Sequence, residues 1–220
     1  MKENEKRFLW FGIAFVVVFA IWTTLIQIID VQPFGVNGTD IGFATVNSRF
    51  HKLTGVHMTV YVLTDWLGLV PVFVCILFGC IGFIQLVKRR SLVKVDYDIL
   101  LLGIYYIVVI AGYLIFEVIP INYRPILIEG RVEASYPSST TLLVLSVMPT
   151  VIFQAKRRGE NEASKRVIGI VSALFMLFMV VGRLICGVHW LTDIVGSVLL
   201  SVGLFWTYKG LVLMKDCKER

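Results

Sequence analysis

Polar positions are rare along this chain, and the apolar residues fall into long blocks rather than into period-2 or short amphipathic stretches. A bilayer-crossing helix needs about 20 mostly apolar residues. Six blocks meet that length, at roughly 8–29, 66–87, 98–119, 138–155, 167–186 and 189–209. The fourth is the shortest and carries Pro149, which neighbouring helices can tolerate if they re-satisfy the freed carbonyl. The pattern predicts an all-α, six-transmembrane helical bundle. It divides into a first transmembrane helix with its outer loop at 1–65, a five-helix core at 66–210 and a cytoplasmic tail at 211–220. No internal repeat or low-complexity segment interrupts it.

Between the first two blocks, about 30–65, the turn formers of "PFGVNGTD" precede the polar run "NSRFHKLTG". That stretch reads either as a surface loop or as a lid over the outer face. The N-terminal block follows Lys2, Lys6 and Arg7 like a signal peptide, but it is too long and lacks a small-residue cleavage site, so it reads as a retained span.

Composition agrees: of 220 residues 57% are hydrophobic and 16% charged, with mean hydropathy +0.82. The net charge of +6 does not point to nucleic acid, because the cations stand in short blocks beside apolar segments and not on one polar face. They act as topology signals. With six spans, 16 of the 21 Lys and Arg residues fall on the side of the termini, and Arg49, Lys52, Arg124, Arg131 and Arg183 on the other. Positive residues stay inside, so the termini are expected in the cytoplasm. The asymmetry and the lack of a eukaryotic sorting tail fit a multi-pass protein of a bacterial plasma membrane. The four cysteines show no metal or redox spacing and are read as packing residues, and the five tryptophans, mostly near span ends, as interfacial anchors.

Three polar islands share the outer side: "NYRPIL" at 122–127, "EASYPSSTT" at 133–141 and "RLICGVHWLTD" at 183–193. Ionisable residues at membrane depth mark function more often than architecture. His189 and Asp193 are four apart, so on a helix they share a face, where the carboxylate can fix the imidazole tautomer and leave the other nitrogen free to attack phosphorus. A merely structural pair at a helix end has the same spacing. Arg183 and Arg124 offer forked donors matched to phosphoryl oxygens, although a lone interfacial arginine also snorkels to headgroups. Pro137 with Ser138 or Ser139 suits a helix start whose free N–H groups attract anions.

These islands resemble the motifs of the type 2 phosphatidic acid phosphatase family of membrane lipid phosphatases. The family carries a lysine, six residues and Arg-Pro, then Pro-Ser-Gly-His, then Ser-Arg, five residues, His, three residues and Asp. Here stand Arg124-Pro125, Pro137-Ser138-Ser139, and Gly182-Arg183 followed by His189 and Asp193 at the same spacing. The likeness covers about residues 60–210 and implies a site at the extracytoplasmic end. By it His189 is the nucleophile, Asp193 its orienting partner, and Arg124, Arg183, Ser138 and Ser139 the phosphate cradle, with no metal or cofactor. The implied partners are a lipid phosphate or diphosphate substrate and the surrounding membrane lipids.

Two positions depart from the pattern. Glu117 stands where the family has its lysine, and is expected to be turned away, paired with an arginine or carried uncharged, with Arg131 a candidate for the missing positive charge. Thr140 replaces the second-motif histidine, which in the resembling enzymes protonates the leaving oxygen. Threonine cannot do so, which favours lipid diphosphates such as polyprenyl carriers, whose leaving group is already a weak base. The competing readings are a pseudo-phosphatase that binds a phosphorylated lipid without turning it over and, last, a small transporter.

Overall fold

The computed structural model describes residues 2–159 and 161–219, so Arg220 of the expected tail lies outside the described residues. Among the described residues eight α-helices follow one another: α1 (Lys2–Ile28), α2 (Ala44–Thr54), α3 (Met58–Leu67), α4 (Leu69–Arg89), α5 (Tyr97–Val118), α6 (Ser139–Arg158), α7 (Glu162–Ile185) and α8 (Leu191–Glu219). Among the described residues there are six helical stretches long and apolar enough to cross a membrane, α3 and α4 forming one of them, Met58–Arg89. The chain is an all-α, multi-pass integral membrane protein.

The fourth span is the least apolar because it is the most enclosed. Half of its most apolar window is buried, against 6% for the Met58–Arg89 span, and its mean hydropathy is only 1.2. A helix surrounded by protein can carry polar side chains if each finds a partner. Tyr105 of α5 donates to the Ser146 carbonyl, the Tyr106 hydroxyl pairs with Thr150, and Gln154 donates to the Tyr208 hydroxyl of α8, at 2.9, 2.7 and 2.8 Å. The helix runs through Pro149 without a break.

Near the termini, α4, α5, α6 and α8 are tied by an ionic network. Arg158 donates to both oxygens of buried Asp98 at 2.7 Å and to Asp96 at 3.0 Å, while Arg157 reaches Asp216 at 2.5 Å. Asp216 belongs to the segment expected as a tail, which instead continues α8 to Glu219.

The first helix is not an appendage to a five-helix core. α1 lies along α8 at backbone contact: a Cβ on Gly203 would stand 2.9 Å from the Val16 nitrogen and 3.1 Å from the Gly12 carbonyl oxygen. Phe19 and Ile26 of α1 are buried in the core, and Thr23 pairs with the Tyr136 hydroxyl at 2.7 Å.

The second span starts at Met58 rather than near 66, since the polar residues of "MTVYVLTD" that dilute its hydropathy are accommodated. The Thr64 hydroxyl donates to the Val60 carbonyl and Asp65 accepts from Arg183. The stretch before it is no loose surface loop. It turns back through an antiparallel bridge between Gln32 and Ile41, and α2 buries Ala44 and Asn47, with Ile41, Ala44 and Trp190 forming one cluster. Trp190 is therefore a core residue and not an interfacial anchor. Cys186 is buried as a packing residue should be, but Cys80 is exposed.

Because α1 and α8 meet without side chains between them, Gly203→Val should force them apart at a cost of about 1–3 kcal/mol. Gly169, whose Cβ position meets nothing within 4 Å, should accept alanine without loss. Thermal melts of the two purified variants check this: equal midpoints would refute the close α1–α8 packing.

Candidate active site

All three polar islands lie at the end of the bundle opposite the termini, where the N-termini of α6 and α8 open. Helix α8 starts at Leu191, so His189 precedes it and does not share a helical face with Asp193 as its spacing suggested. The Asp193 carboxylate instead accepts the backbone N–H of Trp190 at 2.9 Å, the reciprocal bond of a capping box, and its other oxygen lies 3.4 Å from the Asn122 amide. Its distance to His189 Nδ1 is 3.7 Å, an ion-pair contact longer than a hydrogen bond.

The imidazole is oriented by a backbone group. His189 Nδ1 lies 3.1 Å from the Ser135 carbonyl oxygen, which can only accept, so Nδ1 carries the proton. Nε2 is then a bare lone pair, and it is buried with no hydrogen-bond partner.

The loop that carries His189 is braced from the 30–57 segment. The imidazole of His51 is 3.1 Å from the Gly187 carbonyl, Asn47 donates to the Thr192 hydroxyl at 3.0 Å, and the His57 N–H reaches the Cys186 carbonyl at 2.9 Å. Gly187 has φ +72° and would put a Cβ 2.0 Å from the Gly55 carbonyl oxygen, so no side chain fits there. On the other flank the Trp190 indole donates to the Tyr123 carbonyl at 2.7 Å.

Two guanidinium groups meet at one ring. Arg183, in the last turn of α7, lies 5.0 Å from the Tyr61 centroid and Arg124 lies 5.8 Å from it. Arg183 is 1% exposed; its Nη2 donates to Asp65 at 2.8 Å and to the Thr140 hydroxyl, while Nε and Nη1 have no partner. Arg124 is 3.2 Å from the Glu133 carboxylate through Nε, misaligned for a hydrogen bond, and Nη1 is unpartnered. Gly182, where the resembling motif has serine, lets α3 approach: a Cβ would stand 2.7 Å from Thr64 Cγ2. That approach puts Asp65 on Arg183.

A polar cavity of about 380 Å³ is lined by His189, Arg124, Arg131, Ser139, Tyr113 and Glu117, among others. Glu117 thus stands on the cavity wall and is not turned away, and among the described residues no arginine forms an ion pair with it. Ser138 is fully buried and makes no capping bond; its hydroxyl donates to Thr141 at 3.1 Å. Of the two serines only Ser139 reaches the cavity, at the first position of α6, where the N–H groups of the opening turn lack helical acceptors. Thr140 and Asp65 face a second cavity of about 310 Å³, whose other walls are mostly apolar side chains of α5 and α6 with Leu69 of α4, and which shares Tyr113 and Ser139 with the first.

Residues 104–216 match the family model of the PAP2 superfamily. The fold is similar to that of a transmembrane PAP2-type phosphatidylglycerolphosphate phosphatase from Bacillus subtilis, known from its crystal structure, with a TM-score of 0.55 and 19% identity over 96% of this chain and 98% of that one. A search of curated proteins gave no match. The family match begins within α5, so Tyr61 and Asp65, which hold the arginines, lie outside it.

Burial pushes the His189 imidazole below its ordinary value, Asp193 pulls the other way, and Arg124 and Arg183 push it down further. A lowered value keeps the ring neutral, hence nucleophilic, to more acid pH than a free imidazole. The acid limb of any His189-dependent reaction should therefore have its midpoint below about 6.5. A pH profile of kcat/KM with that limb above 6.5 would contradict the buried, cation-flanked setting.

Proposed function

The chain belongs to the PAP2 superfamily, and from that premise we propose that it is a membrane lipid phosphatase that hydrolyses a lipid diphosphate or monophosphate through a phosphohistidine. One observation carries the reading: the unpartnered Nε2 of His189 lines the same cavity as the half-buried Arg124, and buried Arg183 faces the same Tyr61 ring as Arg124, both guanidinium groups having N–H bonds to spare. A tetrahedral dianion answers all of them. Its oxygens take the forked donors of Arg124 and Arg183 and the first-turn N–H groups of α6, and its phosphorus faces Nε2.

In the first step the Nε2 lone pair forms a bond to phosphorus while the bond to the leaving oxygen breaks, and that oxygen departs with the electron pair. The Ser135 carbonyl, holding the Nδ1 proton, and the Asp193 carboxylate at 3.7 Å stabilise the positive charge that develops on the ring. Water then attacks phosphorus, the P–N bond breaks, and inorganic phosphate leaves with His189 restored. The arginines stabilise charge on the phosphoryl oxygens in both steps.

The second cavity, which adjoins the polar one at Tyr113 and Ser139, has Leu69, Val109, Ile110, Leu142 and Leu143 on its walls, and these support a substrate with a hydrocarbon chain over a soluble ester. Charge asymmetry supports cytoplasmic termini and a site at the outer face, the membrane being by this reading a bacterial plasma membrane. Thr140, whose hydroxyl is held by Arg183, has no acid proton to offer an alkoxide. A diphosphate departs as a lipid monophosphate, a far weaker base, and Arg131 on the cavity wall adds charge for a second phosphate against Glu117.

Release of inorganic phosphate from lipid diphosphates and monophosphates tests this with the purified chain. Diphosphates should be cleaved faster by about 10²–10⁴, the contribution of a positioned acid, and His189→Ala should release none. Thr140→His should raise the monoester rate. Monoesters cleaved faster than diphosphates would overturn the preference. Glu117 and Thr140 together favour a second reading, a binding protein without turnover; it requires no release by the wild type and equal lipid affinity in His189→Ala.

A further inference from the structure

At the other end of the bundle, on the side of the termini, α4 and α5 diverge around a slot of about 330 Å³ whose walls include Phe78, Gly79, Leu86, Ile99 and Gly103. It is separate from the site described above and shares no residue with it. The side-chain polar groups on its walls are the Cys75 thiol and the Tyr106 hydroxyl, and the hydroxyl is taken by Thr150 at 2.7 Å. Water held there would lack the two to four polar partners it needs, so the slot suits hydrocarbon.

Its mouth has a different chemistry. The short turn Leu92–Lys94 that joins the two helices exposes Val93 at 93% and Leu92 at 59%, an apolar tip for the interfacial zone of a bilayer. Around it stand Lys88, Arg90 and Lys94, all exposed and, among the described residues, without a carboxylate partner, whereas Arg89 is taken by Asp96 at 2.7 Å. Three unpaired cations beside a dry slot complement one kind of molecule: an acyl chain bearing an anionic headgroup.

We propose that this slot is a binding site for a single anionic phospholipid of the leaflet on the side of the termini, with an acyl chain between α4 and α5 and its phosphate among Lys88, Arg90 and Lys94. The site is independent of the phosphatase reading and touches none of the groups assigned to it. Bound there, the lipid fills the gap between α4 and α5 beside the ionic network of Asp96 and Asp98.

Native mass spectrometry of the full chain, released from bilayers of equal phosphatidylglycerol and phosphatidylcholine, tests it. Wild type should retain one phosphatidylglycerol per chain in preference to phosphatidylcholine. Replacing Lys88, Arg90 and Lys94 by glutamine should lower that preference by at least about fivefold, the effect of one interfacial cation. Gly103→Phe, whose Cβ position meets nothing within 4 Å, should fill the slot and remove lipid of either kind, with Gly79→Phe on the opposite wall as the replacement if the first does not fold. Equal retention of both lipids by the wild type would overturn the proposal. So would unchanged phosphatidylglycerol retention in the charge and slot variants, or a dimer that the slot variant dissociates.

Discussion

The site depends on guanidinium charge held out of water. A guanidinium stays charged when buried, so Arg183, at 1% exposure, must find partners for every N–H or leave some uncompensated. Asp65 and Thr140 share one nitrogen and the face of Tyr61 receives the cation, but Nε and Nη1 remain open. Arg124 repeats the situation on the same ring. Two cations brought within 6 Å of one centroid repel each other, which the Asp65 and Glu133 carboxylates offset and a bound anion would offset further. The Asp65 contact depends in turn on α3 being helical from Met58 despite its polar residues and on Gly182 having no side chain where α3 crosses α7.

The remaining construction keeps the imidazole still. The His189 loop is fixed by the capping bond that the Trp190 N–H donates to Asp193, by the Ser135 carbonyl on Nδ1, and by the bonds of α2 residues His51 and Asn47 to Gly187 and Thr192. Tyr136 lies so close to α8 that a Cβ on Gly196 would stand 2.4 Å from its ring, which seats the serine-bearing turn against the helix that follows His189. The end of α5 and the loops that precede α6 and α8 thus meet at one cavity, while the ionic network at the far end ties the helices together.

Much of this was legible in the sequence because the constraints are local. Length and hydropathy give the spans, and the topology they imply puts Arg124, Ser139 and His189 at one end of the bundle, where they line one cavity. What stayed hidden was tertiary. Tyr61 and Asp65 belong to no motif, and they matter only because α3 happens to cross α7 at Gly182. The acceptor for His189 is a backbone carbonyl, which any residue at 135 would supply, so no side chain announces it. Spacing of four suggested a helical His–Asp pair because the sequence does not show that α8 begins only at Leu191, and the polarity of 44–57 concealed a helix whose buried side is built from Ala44 and Asn47. The fourth span is the weakest, as its sequence indicates, because its polar residues are those of a central helix.

The central claim is that buried Arg183 and half-buried Arg124 hold an anion, and binding of inorganic phosphate or orthovanadate measures it without any assumption about turnover. An anion that binds only the folded chain must raise its melting temperature with concentration. Wild type should show that rise and Arg183→Gln should lose it. A midpoint that neither anion moves, or a rise of equal size in Arg183→Gln, would contradict the account.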